Sequence, residues 1–161
     1  MTTIYKSFNL GTSLITNPWP DSMFGSYPDL RLLDETDQLL LGHREEDVML
    51  ISKRTGAQLL EDSFYGNPEA GLISPANDWA VIIGEHVTIW HRGHGTTIIA
   101  AEELRWGHAL RMAGPTHVEI LTDPWGAQAA IWLLSPLTCS FIKLRDFPDY
   151  REQEYTDQVI W

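Results

Sequence analysis

Short apolar runs separated by turn formers recur along most of this chain, and they constrain its fold more than any other feature. Residues 30–33, 39–41, 48–52, 57–60, 71–74, 79–83, 87–90, 96–100, 118–122, 129–134 and 139–144 are such runs. Segments of this length that end in Gly, Pro, Asn or Asp read as strands, because helices need longer uninterrupted periodicity. Val87-Thr88-Ile89-Trp90 alternates, and the apolar run Trp79-Ala80-Val81-Ile82-Ile83, closed by Gly84, is a buried strand. The charged segment His43-Arg44-Glu45-Glu46-Asp47 and the segment Lys53-Arg54-Thr55-Gly56 are turns, with Gly56 free to take the positive φ of a hairpin. Only residues 101–110 offer a helix or helical turn, around Glu102, Glu103, Leu104 and Trp106. The pattern predicts a mainly β chain of antiparallel hairpins about a dozen residues apart, with at most one or two short helices.

Residues 74–82 and 87–90 together resemble the middle of a β-propeller blade. Blades take about 40–45 residues and closed propellers need at least four, so this chain is about one blade short of a ring. The resemblance implies an open, propeller-like arrangement, with a β-sandwich as the alternative. A length of 161 residues suits a single domain. Within it, residues 1–28 form an irregular arm in which Pro18, Pro20 and Pro28 forbid a long helix and Trp19, Phe24 and Tyr27 invite packing. Residues 29–145 are the β-rich body. Residues 146–161 form an acidic tail that ends Val159-Ile160-Trp161, too apolar to be left in water, and is expected to dock.

Charge narrows the partners. There are 22 Asp and Glu against 11 Lys and Arg, a net charge of −11. Nucleic-acid binding requires a basic surface that displaces counterions, and anionic lipid repels a field of this sign. The expected partner is therefore a basic protein, with no nucleic acid and no membrane. No apolar run approaches the ~20 residues of a spanning helix, and the first residues do not read as a signal peptide. The single cysteine, Cys139, excludes an internal disulfide and a multi-cysteine zinc site, and it fits a reducing, cytoplasmic setting.

Catalytic signatures are sparse. His91 and His94 stand three apart in a Gly-rich turn, with His86 nearby, and these three are the candidate ligands of a metal-dependent hydrolase. The helical metalloprotease signature, two His four apart with an intervening Glu, is missing. Cys139 sits among Leu137, Phe141 and Ile142, the setting of an inert thiol. There is no nucleophile elbow and no Gly-rich phosphate loop. Adjacent acids such as Glu45-Glu46, Glu61-Asp62 and Glu102-Glu103 diverge, so they read as solvated surface before they read as an acid–base pair. Seven Trp is a high count: Trp79, Trp90 and Trp132 lie in strand patterns, while Trp106 and Trp125 lie in turn contexts where an exposed indole beside acids can anchor a partner.

A small, β-rich, acidic, aromatic-rich chain with no catalytic set resembles the immunity proteins encoded beside bacterial polymorphic toxins, including those of contact-dependent growth inhibition. The resemblance implies a non-enzymatic inhibitor without a cofactor that docks on a basic, nuclease-type toxin domain and covers its active site. The contact residues expected from clustering are Glu45, Glu46, Asp47, Glu61 and Asp62, joined by Trp106 and Trp125. Two other functions fit the same residues: the metal-dependent hydrolase built on His86, His91 and His94, and a non-catalytic scaffold module that uses a sheet edge or a Trp surface.

Overall fold

A computed structural model of the chain describes residues 29–161. The N-terminal arm expected over residues 1–28 lies outside the described residues. The rest is three four-stranded antiparallel sheets, each a simple meander in chain order. The first holds β1 (Arg31–Glu35), β2 (Leu39–Arg44), β3 (Asp47–Ser52) and β4 (Gln58–Ser63). The second holds β5 (Ala70–Ile73), β6 (Trp79–Ile83), β7 (Val87–His91) and β8 (Gly95–Ile99). The third holds β9 (Gly107–Ala113), β10 (His117–Thr122), β11 (Ala130–Ser135) and β12 (Ser140–Asp146). The first strands adjoin, β1 against β5 and β5 against β9, as successive propeller blades do. The sheets are thus open and blade-like, and they form neither a closed barrel nor a two-sheet sandwich.

The middle sheet explains the continuous apolar run of β6, in which all five residues are buried. Ala80 and Ile82 enter one core with Leu39, Leu41, Val48, Leu50 and Leu60 of the first sheet. Trp79, Val81 and Ile83 enter a second core with Val118, Ile120 and Leu134 of the third. A strand with a core on each face has no solvent side on which to place polar residues. The outer strands β8 and β12 are largely exposed, and β12 mixes apolar with charged positions.

Residues 101–110, expected to hold a helix or helical turn, hold a helical turn and no longer helix. A single 3-10 turn spans Glu102–Leu104, and Gly107 then opens β9, which pairs with β10 from His117↔Ala113 to Thr122↔Gly107. Close approach sets the place of that entry: the Gly107 N–H donates to the Gly84 carbonyl at 2.9 Å, and a Cβ on Gly107 would stand 2.8 Å from Ile83 Cβ. At the β3–β4 hairpin Gly56 has φ 72°, the left-handed conformation its turn asked for.

Residues after β12 turn back over the third sheet. Phe147 is fully buried with Leu121, Ala129 and Ile131, and Tyr150, Val159 and Trp161 pack on that cluster. The Arg111 guanidinium lies 4.0 Å from the Trp161 ring centre. Among the described residues no helix is long and apolar enough to cross a membrane.

Candidate functional site

Meander topology sends alternate connections to the same end of a sheet, and the register shows which ones share an end. Asp47 faces Ser63, Ala70 faces Ile83, Val87 faces Ile99, Thr122 faces Gly107 and Ala130 faces Asp146. Backbone bonds then tie these connections together there, and one of them, Gly107 to Gly84, joins the third sheet to the second. The Phe64 N–H donates to the Glu46 carbonyl, that of Gly107 to Gly84, and that of Asp123 to Trp106. The β2–β3 turn, the β4–β5 linker, the β6–β7 turn, the β8–β9 connection and the β10–β11 loop therefore form one end of the molecule.

That end is acidic. Glu45, Glu46 and Asp47 are exposed on the β2–β3 turn, Glu61 on β4, Glu102 and Glu103 on the 3-10 turn, and Asp123 after β10. Among the described residues Glu45, Asp47, Glu61 and Glu103 take part in no ion pair, so their carboxylates face water unneutralised. Two aromatics stand among them. Tyr65 is 76% exposed, Trp106 is 48% exposed, and their rings meet edge to face at 6.5 Å. Trp106 has φ 60°, a left-handed backbone that a bulky side chain takes at a cost of about 1–2 kcal/mol. The Arg105 guanidinium, 5.7 Å from the indole centre, flanks it.

Behind this surface lies a buried polar node that joins the sheets. Asp62 Oδ2 accepts from Thr88 Oγ1 at 2.5 Å and stands 2.7 Å from His86 Nε2. His86 Nδ1 stands 2.9 Å from Glu85 Oε2, and the ring stacks on Phe64 at 3.9 Å. Glu85 in turn pairs with Arg105 at 3.4 Å, and Arg105 with Glu102 at 3.2 Å. One chain of contacts thus runs from the first sheet through the second to the approach of the third.

A cavity of about 530 Å³ opens beside Trp106, lined by Glu103, Arg105, Asp123, Trp132 and Lys143 among others. Its size falls in the range of about 300–1,000 Å³ typical of ligand pockets. Lys143 is committed to Asp146, whose carboxyl it holds below the usual carboxylate range by hydrogen bonding and charge.

The acidic end gathers Glu45, Glu46, Asp47 and Glu61 with Trp106, as clustering suggested. Asp62 differs from its sequence neighbours. Its side chain is 11% exposed and spent on His86 and Thr88, so it positions the sheets and offers no carboxylate to a partner. Trp125 reaches the same end but is half-buried, packed edge to face on His108 at 5.2 Å and against Tyr155 at 4.8 Å. The three histidines do not converge. His86 precedes β7 and His91 ends it, about 17 Å apart along the strand. His94 keeps company with His91 alone, at 5.3 Å between rings. Among the described residues no group of three His, Cys, Asp or Glu is placed to hold a metal ion. The ligand set of the hydrolase alternative is therefore not assembled.

Tyr65 and Arg105 were not legible as site residues. Each becomes one only through contacts with segments distant in sequence, and neither lies in a motif. No family model matches the chain, and no curated protein is significantly similar to it.

Proposed function

We propose that this chain is a non-enzymatic binding protein whose acidic end receives a basic protein, and that it serves as an immunity protein that covers the active site of a toxin domain. One observation carries the reading: unneutralised carboxylates from the first sheet, Glu45, Asp47 and Glu61, and from the connecting 3-10 turn, Glu103, share one end with the exposed Tyr65 and Trp106. Carboxylates in such an array pair with Arg and Lys, and they raise the encounter rate with a basic surface. Exposed Tyr and Trp at the same place are the residue types that dominate interface energetics. A backbone held in a strained conformation at Trp106 fits a site selected for presenting that ring.

The experiment is association kinetics against the product of the neighbouring reading frame at several ionic strengths. Association should slow as salt takes the Debye length from ~30 Å to ~8 Å, while dissociation changes less. Reversing Glu45, Glu46 and Asp47 to Lys should slow association at low salt by about ten-fold or more. Salt-independent association, or a triple variant with native kinetics, would remove these acids from the contact. Absence of binding would remove the toxin-neutralising role.

A further inference from the structure

We propose that the cavity beside Trp106 receives an arginine side chain of a basic protein partner, its guanidinium held by Glu103 and Asp123 and its stem laid against the indoles of Trp106 and Trp132. The proposal rests on the reading that the acidic end meets a basic protein, and it names what that partner inserts. The cavity, about 530 Å³, lies between the 3-10 turn, the β10–β11 loop and strands β11 and β12. That size has room for a long side chain together with the peptide that carries it.

The charges of the wall choose the occupant. Arg105 and Lys143 are cations that line the cavity, and both are committed: Arg105 pairs with Glu85 and Glu102, and Lys143 pairs with Asp146. Glu102 is spent in the same exchange. Glu103 and Asp123 line the cavity too, are exposed, and form no ion pair among the described residues. Asp123 Oδ1 accepts the Trp125 N–H at 3.3 Å, a long bond to a neutral donor that leaves the carboxylate's charge uncompensated. The free charge of the wall is therefore negative, and it comes from two segments, the 3-10 turn and the β10–β11 loop. Trp106 is 48% exposed and Trp132 is half-buried. Cations of this chain already stand over both rings, Arg105 at 5.7 Å from the Trp106 centre and Lys143 at 6.0 Å from that of Trp132. Positive charge is thus at home against these walls, and nearly half of Trp106 stays uncovered. Arginine suits the combination better than lysine. Its guanidinium is planar and weakly hydrated, stacks on indoles, and meets carboxylates with a fork of donors.

The test titrates the full chain with the blocked tripeptide acetyl-Gly-Arg-Gly-amide, followed by the indole N–H signals of Trp106 and Trp132 in NMR spectra. The same tripeptide with citrulline, which keeps the shape of arginine without its charge, and with lysine are the comparisons. The arginine peptide should shift both signals with a dissociation constant on the order of 1 mM, and the other two should bind more weakly. Glu103→Gln together with Asp123→Asn should raise that constant about ten-fold or more. Glu45→Gln together with Asp47→Asn, at the same end but outside the cavity, should leave it unchanged. No shift up to about 10 mM peptide, equal binding of the citrulline or lysine peptide, or an equal loss from the two double variants would each overturn the proposal. The peptide comparison uses the unaltered chain, so it decides the matter even if a variant misfolds. A chain that binds the arginine peptide through Glu103 and Asp123 but ignores the product of the neighbouring reading frame keeps this site and loses the toxin-neutralising role. A chain that binds that product and ignores the peptide keeps the role and loses the site.

Discussion

Asp62 shows how much a single carboxylate's meaning depends on its neighbours. In the sequence it is the second of two adjacent acids, and its partner Glu61 is exposed. In the structure Asp62 meets His86, 24 positions away, and Thr88, 26 positions away. Removing it leaves an imidazole and a hydroxyl buried without their partner. Asp62→Ala should therefore lower the unfolding free energy by about 3 kcal/mol in urea titration, whereas Glu45→Ala should change it by less than about 0.5 kcal/mol. Equal effects would mean that the node does not clamp the sheets. Trp106 makes the opposite case, a residue whose backbone opposes its presence. Trp106→Gly frees a φ of 60° and should leave thermal stability unchanged or raise it by up to about 1 kcal/mol. The same change should weaken partner binding by about 2 kcal/mol or more. A variant that loses stability and keeps affinity would make Trp106 a packing residue.

Among the elements, β6 was the most legible, because two flanking cores demand apolar side chains at every position and leave no ambiguity of period. β9 was the least. Its Ala109-Leu110-Arg111-Met112 core consists of good helix formers, and preferences of under about 1 kcal/mol per residue are outweighed by pairing along β10 and by the Gly107–Gly84 bond. The C-terminal segment acts as an element without regular structure. Val159 and Trp161 cover Leu121, Ile131 and Phe147, the face of the third sheet turned away from the second. Val159→Ala combined with Trp161→Ala should lower the unfolding free energy by about 2–4 kcal/mol, seen as a reduced urea midpoint at unchanged slope. An unchanged midpoint would show that this segment rests on the sheet without stabilising it.

At the scale of the whole molecule the excess of acid is unevenly placed. The end that carries Glu45, Glu46, Asp47, Glu102, Glu103 and Asp123 beside Arg44 contrasts with the opposite turns, where Arg54 and Arg92 are exposed along with Asp37. Composition states the sign of the field but not its direction, and direction is what steers a partner. The sequence by itself determined the mainly β class, the hairpin turns, most strand centres and the net charge, because each is written in neighbouring residues: period, turn chemistry and a sum of ionised groups. Only the tertiary structure decided that three meanders stack as an open set of blades, that Asp62 closes a node with His86 while Glu61 stays free, and that Tyr65 meets Trp106. Those outcomes depend on contacts between residues tens of positions apart, whose pairing is settled by how the cores of adjacent sheets pack and carries no local signature in the chain.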